Sequence, residues 1–361
     1  MNITINNVFL SNLIIMSILA IAILLSIKKK DNFDMLSISV TQELKGLAIL
    51  GVIFCHIGYF LSTNHNFLFP LSIISGISVD LFLFLSGFGL TMSALKKDIS
   101  IPKFYKKNLP KLYVPFWIIL VILFSMSFFV AHIGYSFSYI IKSFAGIFTT
   151  ADIFKDINSP LWYFTLIVFY YLLFPLFFSK KKPWISATII FLITFIIIKL
   201  NLINGVNGLY SAHIVAFPLG IIIASILSNE KITGNIKNIF SKRNGVFYFL
   251  TLLISISVFA LLAYFSGSGQ GVFAKESISI IAMLSIIIFF IIKKFDIKIF
   301  YILGLYSYEI YLLHWPIMYH YDFLYKYTPA WFATPLYIII FLGLGFLLKK
   351  FSDNITKKLN K

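Results

Sequence analysis

Cysteine is almost missing. Cys55 is the only one in 361 residues, so no disulfide can close within the chain and no cysteine cluster can hold a metal. Arginine is as scarce, with Arg243 alone among 30 basic residues, and lysine has to serve wherever a cation is needed. Charge of any kind is thin at 12% of residues, against 60% hydrophobic and 18% aromatic. Soluble domains carry roughly twice that share of charge, so the composition excludes a soluble core and leaves no length for a sizeable soluble domain. Acids are fewest, and the net charge is +17. In a soluble chain that balance would point to nucleic acid, yet the lysines lie between apolar runs and form no basic stripe interleaved with aromatics, which excludes a nucleic-acid partner. Solenoid-type and inverted repeats are missing as well.

What is present is apolar length. Runs at about 8–27, 46–62, 76–95, 112–133, 161–179, 184–200, 211–228, 245–265, 276–292, 299–319 and 332–348 are each long enough to span a bilayer with some tilt. The expected fold class is therefore all-α, a polytopic transmembrane helix bundle of about ten or eleven spans. Twenty-five of the 30 basic residues fall in alternate connections, while only Lys142, Lys155, Lys199, Lys275 and Lys326 fall in the others. The positive-inside rule then places the N-terminus outside and the C-terminus in the cytoplasm of a cell-membrane protein. Residues 8–27 are expected to stay as a helix, since their basic cluster follows the apolar run and no A-x-A-like cleavage site closes it. The segment 137–149, FSYIIKSFAGIFT, is too short to cross and reads as interfacial or re-entrant. SGSGQG at 266–271 reads as an outer turn.

Ionisable residues inside spans are costly, so each marks a candidate functional site beside the plainer reading of helix packing. Lys45 and His56 are eleven residues apart, about three turns and 16 Å along one helix face. Asp80 in the next span lies at a depth similar to His56, with Ser86 nearer the middle. His213 and Trp162 open two later spans, while Glu309 and His314 share the tenth. Together they outline a polar cavity whose depths converge on the outer half. His56 reads either as a catalytic group or as a structural interhelical hydrogen bond, and Asp80 as the partner of a histidine. An imidazole held by a carboxylate can take a proton from an acceptor hydroxyl, and a water-excluding cavity suppresses hydrolysis of a thioester donor. Lys103, Lys106, Lys107 and Lys111 offer cations to the phosphates of such a donor, or merely mark topology and touch anionic lipid.

The pattern Lys45, ten residues, His56 in TQELKGLAILGVIFCHIGYF resembles the hallmark of the membrane-bound acyltransferase 3 family, an arginine and a histidine at that spacing. VDLFLFLSGFGL, FYKKNLPKLYVPFW, SPLWYFTLIVFYYLLFP, HIVAFPLG and SYEIYLLHWPI resemble further family segments in the family's order. Lysine replaces the hallmark arginine, Asn108 and Lys111 stand at the spacing of the loop's paired arginines, and no acid follows Trp162 in the fifth span. The resemblance implies a ten-helix acyltransferase core at 41–350, an extra N-terminal helix and linker at 1–40, and a basic cytoplasmic tail at 351–361. It implies transfer of an acyl group, usually acetyl from acetyl-coenzyme A and without a metal, to a hydroxyl of a cell-surface or exported glycan or lipid-linked sugar. His56 would be the base, directly or through an acyl-histidine, with Lys45 and Asp80 beside it. Ser86, Trp162, His213, Glu309 and His314 would line the acceptor site, and the lysines at 103–111 would face the acyl-coenzyme A donor. The rival from another class is a transporter or exporter of polysaccharide or acylated intermediates, because buried charge also marks substrate pathways.

Overall fold

The computed structural model describes residues 3–30, 35–201, 206–242, 245–266 and 273–359. Its helices are α1 (Val8–Ser26), α2 (Ile38–Cys55), α3 (Ser75–Lys96), α4 (Ile101–Phe129), α5 (Phe137–Ala145), α6 (Trp162–Phe177), α7 (Pro183–Lys199), α8 (Asn207–Ser211), α9 (Ala216–Leu227), α10 (Glu230–Lys242), α11 (Gly245–Ser266), α12 (Phe273–Ile292), α13 (Lys298–Leu305), α14 (Ser307–Tyr319) and α15 (Ala330–Leu359). Among the described residues, eight helical stretches are long and apolar enough to cross a membrane, and α7 and α12 add two shorter apolar helices. The run at 299–319 is also helical but is broken at Tyr306 between α13 and α14. All eleven apolar runs are thus helical, as their composition requires where no water can satisfy the backbone, and the chain is an all-α, multi-pass membrane protein. Most of the turn expected at 266–271 lies outside the described residues, and α15 continues unbroken through 351–359.

Two close crossings set the frame. Gly46 of α2 and Gly304 of α13 face each other so that a Cβ on the first would overlap the Phe300 carbonyl and one on the second the Gln42 carbonyl. Gly87 of α3 and Gly220 of α9 do the same against Phe217 and Phe84. Small residues let backbones approach where there is no hydrophobic drive between helices in lipid. The result fixes α2 and α3, which also pack on each other, in the centre of the bundle.

The first helix is held at both ends. At the lysine-poor end, the Asn12 side chain donates to Asn66 O at 2.8 Å and accepts from Leu68 N at 2.8 Å. At the lysine-rich end, the strand β1 (Ile27–Lys29) pairs antiparallel with β2 (Phe295–Ile297). Between these clasps Leu13, Ile21, Leu24 and Leu25 are exposed, as expected of a helix facing lipid. Beneath β2, Glu43 and Lys293 form a fully buried ion pair at 2.5 Å, and Glu43 also accepts from Ile297 N at 2.7 Å.

The segment 137–149 does not cross. Its nine-residue helix α5 has Ser136 at its N-cap and Gly146 in the left-handed region at its C-cap. The last carbonyls are taken up by α4, Trp117 Nε1 donating to Phe144 O at 2.8 Å and Tyr113 Oη to Ala145 O at 3.0 Å. Tyr113 and Trp117 lie a dozen or more residues before the α4 terminus at Phe129, so the segment re-enters the bundle. Beyond α5, Gly146 and Phe148 turn inward against Phe164 and Phe116, while Ile147 between them is half exposed.

Candidate active site

The helix carrying His56 changes pitch at that residue. From His56 to Leu61 the chain forms a π-helical turn, with Ser62 N donating to Ile57 O at 2.9 Å. Such turns recur at functional sites because the wider turn re-aims its side chains. Here a Cβ at Gly58 would overlap the Phe67 carbonyl of the following loop, so that loop can close against the turn only where a side chain is missing. His56 and Phe60 thereby both line a cavity of about 270 Å³ between the helices.

Five of the residues singled out in the sequence line this one cavity: Lys45, His56, Ser86, Trp162 and His213. Lys45 and His56 lie on the same face of α2, as their spacing predicts. Tyr163, Tyr308 and Tyr311 complete much of the wall. The Tyr308 hydroxyl donates to Leu112 O at 2.7 Å and that of Tyr311 to Pro160 O at 2.8 Å, which ties α4 and the turn before α6 to α14. Tyr308 and Tyr311 were not identified from the sequence, where YSYEIYLL gives no mark to separate lining aromatics from lipid-facing ones.

His314 lies behind the wall, fully buried. Its Nε2 is 2.8 Å from His56 Nδ1, and its Nδ1 is 2.9 Å from Tyr311 O and 3.1 Å from Ile310 O. A carbonyl only accepts, so His314 Nδ1 carries the hydrogen and its Nε2 accepts from His56 Nδ1–H. In neutral His56 the remaining nitrogen, Nε2, is then a bare lone pair. The register of α14 depends on Asn158, whose amide donates to Leu312 O at 2.9 Å. That carbonyl is the one Pro316 leaves without its helical donor.

Asp80 is fully buried and pairs with His213, not with His56. Its Oδ1 is 2.7 Å from His213 Nδ1, and its Oδ2 accepts from the Ser279 hydroxyl at 2.6 Å. The His213 ring stacks on Trp162 with centroids 5.9 Å apart and planes at 17°. Ser279 and Glu276 of α12 were overlooked in the sequence, although two polar residues opening an apolar run are the signal that buried polar groups leave.

Glu309 does not line the cavity. Its carboxylate pairs with Lys349 of α15 at 3.6 Å and lies within electrostatic reach of Lys45. It therefore sits with the lysine-rich end of the bundle, in the first turn of α14 after the break at Tyr306, and not at the level of the histidines. Lys103, Lys106, Lys107 and Lys111 are exposed on the first turns of α4 and do not line the cavity either, but the next residue, Leu112, does.

A comparison with family sequence models decides the assignment: the model described as an acyltransferase domain, of the acyltransferase 3 type, matches residues 44–350. The chain belongs to the acyltransferase 3 family. No curated protein and no solved structure matches it. As a family member the chain is a membrane acyltransferase, and the matched region holds every cavity residue named above while leaving α1 outside.

Proposed function

We propose that this acyltransferase 3 protein moves an acyl group, acetyl above all, from acyl-coenzyme A to a hydroxyl of a cell-surface or exported glycan. The observation that carries the reading is the ordered chain from the Tyr311 carbonyl through His314 to His56, which leaves His56 Nε2 bare at the cavity wall. A bare imidazole nitrogen in a cavity walled mostly by apolar and aromatic side chains is the group needed to take the proton of an attacking hydroxyl. The cavity also runs from Lys45 at the lysine-rich end to Phe60 beyond His56, a length of about 22 Å along the helix. That shape suits a donor arm entering from the lysine-rich side, with its phosphates left among Lys103, Lys106, Lys107 and Lys111. Charge alternation supports that side as cytoplasmic, with the N-terminus outside and the C-terminus inside. Trp162 and the tyrosines offer flat faces to a sugar ring, while Ser86 offers a hydrogen-bonding edge.

The test is mass spectrometry of surface glycans from cells producing the native chain or His56→Ala at matched protein level. The expected result is loss of an ester-linked acyl mass increment with glycan export unchanged. Unchanged acylation with altered export would overturn the transferase reading in favour of transport.

A further inference from the structure

Two imidazoles line the one cavity, and each has its Nδ1 engaged by a partner of opposite character. His56 faces a neutral imidazole that accepts from it, so its cavity-facing Nε2 is bare. His213 faces a carboxylate. Asp80 is fully buried among apolar helices, and a lone negative charge there is far more costly than a balanced pair. Among the described residues, the groups bonded to Asp80 are His213 and the Ser279 hydroxyl, and only His213 can balance its charge. Two other titratable groups face the pair: Tyr170, within electrostatic reach of Asp80, and Glu276, whose carboxylate accepts from Val215 N at 3.4 Å and lies within electrostatic reach of both partners. A second carboxyl makes a net-negative pair costlier still.

A net-neutral Asp80–His213 pair has two forms: carboxylate with imidazolium, or carboxylic acid donating to Nδ1 of a neutral ring. In both, the second ring nitrogen carries a hydrogen. The edge of the His213 ring opposite Asp80 therefore presents an N–H donor to the cavity, while His56 presents a lone pair. We propose that His213, held by Asp80 and Ser279, is a catalytic hydrogen-bond donor that stabilises the oxyanion of the acyl-transfer step. This rests on the acyltransferase reading and assigns a second residue within it.

The step balances as follows. The acceptor oxygen bonds to the acyl carbon, the carbonyl π pair moves onto its oxygen, and the acceptor proton passes to His56 Nε2. His213 Nε2–H donates to the oxyanion, which neither gains nor loses a proton. On collapse the C=O re-forms, the carbon–sulfur bond breaks, and the thiolate takes the proton from His56. Thioester and alcohol become ester and thiol. Pre-aimed donors of this kind act on charge that develops only in the transition state, so they raise kcat more than they lower KM.

Two measurements test the assignment on the full chain in lipid. Nitrogen NMR of histidine-labelled protein, with resonances assigned by their loss in His56→Gln and His213→Gln, reads the protonation of each ring without any substrate. The expected spectrum has a protonated Nε2 on His213 and a bare Nε2 on His56, and a bare Nε2 on His213 overturns the proposal. Transfer from labelled acetyl-coenzyme A to endogenous glycan in membrane vesicles reads the catalytic role. His213→Ala is expected to lower kcat by about 10²–10³-fold with little change in donor KM, and His213→Gln, which keeps an N–H near that place, is expected to recover roughly tenfold of it. A Gln variant no more active than the Ala variant at equal folded amount overturns the donor role. If the native chain transfers no acetyl, the proposed acetyl-to-glycan reading itself fails, and the NMR result is unaffected by that failure.

Discussion

His56 Nδ1 stands 2.8 Å from His314 Nε2, two residues 258 positions apart in the chain joined ring to ring behind the cavity wall. The contact fixes which nitrogen of His56 is free, because His314 is itself oriented by the Tyr311 and Ile310 carbonyls. His314→Phe is expected to lower acyl transfer by roughly 10²-fold, the lower range for an ordered general base. His314→Gln, whose amide oxygen can accept from His56 Nδ1–H, is expected to retain more. Turnover of the two variants at matched folded amount checks the order.

Lys45 marks the lysine-rich end of the same cavity, within reach of Glu309 and Lys349. Lys45→Arg is expected to keep turnover, since the charge remains, whereas Lys45→Glu is expected to abolish it without loss of membrane insertion. Equal turnover of the Glu variant would remove Lys45 from the reaction.

The Glu43–Lys293 pair is fully enclosed and sits where β2 closes over α2. Lys293→Met leaves a buried carboxylate without its cation and is expected to cost about 3–5 kcal/mol. The double change Glu43→Leu with Lys293→Met is expected to recover most of it. Thermal unfolding in detergent of the native chain, both single variants and the double variant gives the coupling directly.

Asn158 supplies the donor that Pro316 removes from Leu312 O. Asn158→Ala strands that buried carbonyl and is expected to cost about 1–3 kcal/mol. Because α14 also carries His314, transfer is expected to fall alongside the unfolding temperature.

The α2 and α13 backbones touch at Gly46 and Gly304. Gly304→Val forces a side chain against the Gln42 carbonyl, which cannot move as a side-chain tip can. The expected result is loss of folded protein by size-exclusion chromatography, while Gly208→Ala, where a Cβ meets open space, leaves the profile unchanged.

Sequence by itself determined the solvent and the scaffold. Apolar runs of span length admit only helices in a bilayer. The eleven-residue step from Lys45 to His56 was also legible, because α2 stays α-helical up to Cys55 and helical geometry carries one position to the other. Tertiary structure alone decided who partners whom. Asp80 and His56 read as neighbours by depth, but depth fixes one coordinate of three. The tight crossing of Gly87 and Gly220 draws α9 against α3, which is the packing that joins His213 to Asp80, while α14 meets α2 and brings His314 to His56. The break at Tyr306 turns Glu309 toward Lys349, and the π turn at His56 follows from a loop closing on Gly58. All of these depend on contacts between separate elements, most of them far apart in the chain, and helical periodicity carries information only along one helix.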